Sequence, residues 1–155
     1  MRLAAALSVV CLALGAEVFA QGQLESGNAV PPEPVVLADE LEPWVSSEYW
    51  AAALCRETLG QLITEHRAFA SPIGLANAQK LMDLLSGLID QARTELFAKG
   101  LNFEQSLQID SYFYLTTQPK TARFVATKDA AALAIDLRGC PAAAGALQTR
   151  LAEAG

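Results

Sequence analysis

Asn102-Phe-Glu-Gln-Ser-Leu-Gln-Ile-Asp-Ser-Tyr-Phe-Tyr-Leu-Thr-Thr-Gln-Pro-Lys-Thr-Ala-Arg-Phe-Val-Ala-Thr127 is the stretch on which the fold class turns. It opens with Asn102 and, three residues on, Gln105, the spacing of a reciprocal helix cap. Its continuation fits two periods. Leu107, Ile109, Ser111, Phe113 and Leu115 alternate with Gln108, Asp110, Tyr112 and Tyr114 as in a strand, whereas Phe103, Leu107, Asp110 and Phe113 suit a helix. A strand needs a partner for its backbone groups. Phe124-Val-Ala-Thr127 is the sole candidate, joined through the polar Thr116-Thr-Gln-Pro-Lys120. A helix is therefore expected, with a minor β-hairpin around residues 107–127 as the alternative.

The flanking sequence is helical in pattern. Ala51, Leu54, Cys55, Thr58, Leu59, Leu62 and Ile63 recur at spacings of three and four, with Ser46 or Ser47 as N-cap and an end near His66. Ser71-Pro72 offers a cap and a first-turn proline. Ala76 to Lys99 then carries Leu81, Met82, Leu84, Leu85, Leu88, Ile89, Ala92, Leu96 and Phe97 in the same pattern before Gly100 stops it. Gly74 is a possible break in its first turn. Beyond Thr127, an expected N-cap, Lys128 to Arg138 forms a short helix ended by Gly139, and Cys140-Pro141 opens an alanine-rich last one. The expected fold is all-α: a small bundle of four or five helices spanning residues 44–155.

Residues 1–20 have the layout of a signal peptide. Met1 and Arg2 supply positive charge, Leu3 to Ala16 an uncharged apolar run, and Val18-Phe-Ala20 a cleavage site, with Ala16 as second choice. Glu17 stops the run short of the roughly 20 residues a membrane span needs, so no permanent anchor is expected. Cys11 lies inside that run without a lipobox around it. The expected location is the periplasm or the outside of the cell. Residues 21–43 hold five acids, no bases and Pro31-Pro-Glu-Pro34, the composition of an extended, disordered leader. Eleven acids and ten bases remain in residues 44–155, so the net charge of −6 belongs chiefly to the leader.

Removal of the signal leaves two cysteines, Cys55 and Cys140. In an oxidising compartment they are expected to form a disulfide, tying the first helix to the start of the last; two buried thiols are the alternative.

The search for chemistry is mostly negative. One histidine, His66, serves neither a Ser-His-Asp arrangement nor a zinc site with two distant cysteines. Asp83, Asp90 and Glu95 fall on the polar side of a helix. Asp39, Glu40 and Glu42 lack the spacing of a calcium loop. There is no phosphate loop, HExxH or haem-attachment motif, and no basic groove for nucleic acid. No catalytic residue, metal or cofactor is expected. The remaining signal is aromatic: Phe103, Tyr112, Phe113 and Tyr114 crowd more rings into one segment than a single helix face buries, which makes them candidate partner-binding residues. A helical export product with one disulfide is loosely similar to periplasmic acid chaperones and to small immunity proteins that block toxins, although no motif of either can be matched. The expected function is a non-catalytic binding or accessory protein acting on another protein, with a periplasmic chaperone, stress or toxin-immunity protein as the alternative.

Overall fold

The computed structural model describes residues 35–65 and 72–154. The signal peptide, the leader up to Pro34, His66 and the Ser71 cap lie outside the described residues. Within the described residues there is a 3-10 turn, Glu42–Trp44, and five α-helices: α1 (Ser47–Thr64), α2 (Pro72–Ala98), α3 (Phe103–Thr127), α4 (Ala130–Leu137) and α5 (Cys140–Ala154). No strand is present among them. The chain is a small all-α bundle, and residues 107–127 are helix throughout, so the alternative hairpin does not form.

Local chemistry sets the helix ends. The Ser46 side chain accepts the Tyr49 N–H at 3.2 Å to start α1. At the end of α2, Leu101 N–H reaches Leu96 C=O at 3.0 Å and Gly100 N–H reaches Phe97 C=O at 3.1 Å. That is a Schellman closure, and it requires the φ of 109° that Gly100 supplies. Asn102 and Gln105 complete the reciprocal box at 2.9 and 3.0 Å, opening α3. Asp129, not Thr127, caps α4, accepting Ala132 N–H at 2.9 Å. Thr127 instead ends α3, its hydroxyl donating to Arg123 C=O. A carboxylate at the cap faces the positive end of the helix dipole, which a hydroxyl does less well.

Helix α1 is the hub, packing on α2, α3 and α5. Ala52 and Ala53 are fully buried, which lets neighbouring backbones come close. The core joins Tyr49, Leu59 and Ile63 of α1 to Leu85, Ile89 and Ala92 of α2, Ile109 and Phe113 of α3, and Ala144, Leu147 and Leu151 of α5. A satellite cluster of Leu62, Phe124 and Leu133 seats α4. Leu37 and Leu41, 4% and 1% exposed, also belong to the main core. Residues 35–43 therefore pack against the bundle, where composition predicts an extended leader. Leucines four apart turn inward at the Ala38–Leu41 turn, while Asp39, Glu40 and Glu42 stay in water.

Cys55 and Cys140 are bonded, with their Cα atoms 5.6 Å apart and a sequence separation of 85. Closing a loop of that size removes unfolded-chain entropy worth on the order of 4 kcal/mol. The bridge holds the middle of α1 to the first residue of α5. Such a bond fits an oxidising compartment, and no described helix is long and apolar enough to cross a membrane.

Candidate interaction surface on the third helix

Helix α3 continues through Pro119, which the alternative hairpin would place in its connector. A proline inside a helix offers no N–H to the carbonyl four residues back and crowds it. Several side chains hydrogen-bond to backbone carbonyls around this point. Thr116 donates to Tyr112 C=O at 2.7 Å, Thr117 to Phe113 C=O at 2.9 Å, and Thr121 to Thr117 C=O at 3.0 Å. From α1, the buried Gln61 amide donates to Tyr114 C=O at 3.2 Å and to the Thr117 hydroxyl at 2.8 Å. Thr117 and Thr121 are themselves buried, so their hydroxyls would be costly if unpaired. The Gln61 bonds pin α3 to α1 at this point.

Two rows of side chains at four-residue spacing run along α3. The inner row is Ile109, Phe113, Thr117 and Thr121, all buried. Phe113, at 0% exposure, meets the Tyr49 ring at 6.3 Å and the Trp50 ring edge-on at 5.3 Å between centroids. The outer row is Phe103, Leu107, Ser111 and Leu115. Here Phe103 is 72% exposed, Leu107 49% and Leu115 46%.

The four candidate aromatics thus separate. Phe113 is core. Tyr112 is half-buried in a tilted pair with Trp50 at 5.2 Å and forms a wall rather than an anchor. Tyr114 lies at the surface, where its hydroxyl donates to Glu65 Oε1 at 3.2 Å and the Glu65 carboxylate raises its pKa. Phe103 is the freest ring, at the first turn of the helix. Sequence reasoning missed Leu107, Ser111 and Leu115 as surface residues because it followed the aromatic rings alone. The signal was present in their spacing from Phe103.

Beside the outer row, Val35 and Val36 leave a groove of about 450 Å³ against α3, with Leu37 and Leu41 at its inner side and Leu107, Ser111 and Leu115 along the helix. Of the nine large apolar residues exposed among the described residues, Val35, Val36, Leu107 and Leu115 line this groove, together with Glu104 and Gln108; Phe103 and Tyr114 lie elsewhere on α3, and Leu84, Phe97 and Ile135 on other elements. Isolated apolar side chains at a surface are ordinary; a grouped set is the mark of a contact surface.

The polar residues nearby are committed to structure. Asp110 Oδ1 accepts Arg93 Nη2 at 2.6 Å and Arg56 Nη2 at 3.5 Å, and Arg56 also pairs with Glu57. This ties α1, α2 and α3 together at a half-buried point. The Tyr49 phenol is pushed above its ordinary pKa by burial, opposed by the Arg93 guanidinium to which it is hydrogen-bonded. A second concavity of about 350 Å³ lies over the disulfide, between Leu54 and Thr58 of α1, Thr116 of α3, and Leu137 and Ala143, with the Lys120–Asp136 ion pair on its wall. The described residues bring together no group of three or more His, Cys, Asp or Glu side chains that could hold a metal.

Comparison with protein-family models, with curated proteins and with solved structures finds no match for this chain.

Proposed function

We propose that this chain is an exported, non-catalytic binding protein, acting in the periplasm or outside the cell through the outer row of α3. The observation that carries the reading is the gathering of exposed apolar side chains, Leu107 and Leu115 with Val35 and Val36, around one groove, with Phe103 one turn further along the same row. Apolar anchors in a concave surface are what protein partners bury. One carboxylate, Glu104, lines the groove, while Asp110 and Glu57 further along are held by guanidinium groups; no second carboxylate in the groove lining faces Glu104 for acid–base work. Export is supported by the signal-like residues 1–20 and by the disulfide.

The test uses the full chain with an affinity tag at its C-terminus. The exported fraction is expected to carry a mature N-terminus at Gln21. It is also expected to capture a partner that the Leu107→Glu, Leu115→Glu double variant loses while keeping the native circular-dichroism melt. Retention of residues 3–16 in the cytoplasmic fraction overturns export. Equal capture by the two proteins, or no capture by the native chain, overturns the binding reading.

A further inference from the structure

Cys55 and Cys140 both line the concavity of about 350 Å³ that lies between α1, α3 and the junction of α4 with α5. Cys55 is partly exposed on α1, whereas Cys140 is 1% exposed and is the first residue of α5. We propose that this bridge is a site of thiol–disulfide exchange, and that its opening by a dithiol releases α4 while α1, α2, α3 and α5 stay packed.

The two sulfurs are not equivalent. Cys55 is the more open of the two residues to an incoming thiolate. Attack on its Sγ forms a mixed disulfide there and breaks the S–S bond, and the electron pair leaves on Cys140 Sγ. Cys140 stands at the positive end of the α5 dipole, which favours a thiolate, and a thiolate of lower pKa leaves faster. Its burial opposes this until the first turn of α5 loosens and admits water. The second thiol of the reagent then attacks the mixed disulfide and departs as a cyclic disulfide. Cys55 and Cys140 each end with a proton, the chain having gained the two electrons that the dithiol lost.

What the bond secures is α4 rather than the bundle. Helix α5 places Ala144, Leu147 and Leu151 in the main core and is held there without Cys140. Helix α4 has eight residues, too few to persist alone, and rests on the satellite cluster of Leu62, Phe124 and Leu133. Its ion pair uses Lys120, which is 55% exposed, and so adds little. It follows a sharp corner at Lys128, where φ is 54°, and only Arg138 and Gly139 separate it from Cys140. Once the bond is broken, the first turn of α5 frays and the fixed point moves from Cys140 to Ala144. The strap from Lys128 onward gains about one helical turn of slack, and α4 lifts away from Leu62 and Phe124.

Trypsin on the mature full chain tests this, because Lys128 and Arg138 flank α4. In dithiothreitol at neutral pH the bridge is expected to open without denaturant and the helical circular dichroism to persist. Cleavage after Lys128 and Arg138 should speed up by at least about tenfold while Arg56 and Arg93 stay uncut. The Cys55→Ser, Cys140→Ser double variant should show the same pattern without reagent. Brief exposure to glutathione, a monothiol, with an acid quench should place the first mixed disulfide on Cys55. A bridge that resists dithiothreitol until the chain is denatured, or a first adduct on Cys140, overturns the exchange site. Cleavage that rises equally at Arg93 and Arg138, or at neither, overturns the release of α4.

Discussion

The inner and outer rows of α3 draw on similar side chains, an aromatic, aliphatic residues and hydroxyls in each, yet Phe113 is wholly enclosed and Phe103 is 72% exposed. Helix propensity and periodicity are equal for the two. What separates them is the presence of Tyr49 and Trp50 of α1 over the inner row. Burial here is a property of the neighbour, and an apolar row without one is available for a partner. The sharpest way to break this comparison is truncation of one ring from each row. Phe113→Ala is expected to cost about 4 kcal/mol of unfolding free energy, through lost transfer energy and the cavity left behind. Phe103→Ala should stay within about 0.5 kcal/mol. Urea denaturation of both variants decides it, and equal losses would mean that the outer row is part of the core.

The polar tie at Asp110 marks the border between the rows and should show an intermediate effect. Asp110→Ala leaves the Arg93 guanidinium, about four-fifths buried, without its 2.6 Å partner. The expected cost is about 1.5 kcal/mol, between the values of exposed and buried pairs, and chemical denaturation at neutral pH measures it. Tyr49, on the same inner side, gives a pH signature. Its folded pKa is raised above 10.0, burial being the largest cause, so the folded state keeps the phenol proton that the unfolded state releases. The contribution is complete below pH 10 and is lost as pH climbs from there toward the folded value. Thermal melts should fall along that alkaline limb, and Tyr49→Phe should flatten the fall. Tyr114, whose pKa the Glu65 carboxylate also raises, is exposed and screened by solvent, so Tyr114→Phe should flatten the limb in the same direction but by less.

Much of this arrangement is legible in the chain. Asn102 and Gln105 announce the start of α3, Gly100 the end of α2, and Cys55 with Cys140 the bridge, because each is a local rule or an arithmetic of two. Pro119 is harder to read: it sits in the connector of the alternative hairpin, yet lies inside α3. The hydrogen bonds that hold this part of the helix to α1 come from Gln61, 58 positions earlier in number and adjacent only in the fold. Leu37 and Leu41 are hidden for a different reason: two leucines among acids and prolines do not alter a composition average, although their four-residue spacing is that of a helical turn. For the binding surface, periodicity yields two rows and no means of ranking them. Only the position of α1 distinguishes Phe113 from Phe103.

The smallest expected effect is also the most informative about the outer row. Leu107 is half exposed, at 49%, so replacing it with glutamine removes little apolar surface from the interior and leaves no unpaired polar group. Glutamine is nearly as good a helix former as leucine, so the backbone has no reason to weaken. The unfolding free energy of Leu107→Gln should therefore lie within about 0.5 kcal/mol of the native value. In partner capture the two proteins should diverge. A leucine of the outer row is buried only when a partner covers it, so Leu107→Gln should retain less of the partner than the native chain does. A loss of stability already present in the variant alone would place Leu107 in the fold and erase the distinction between the two rows.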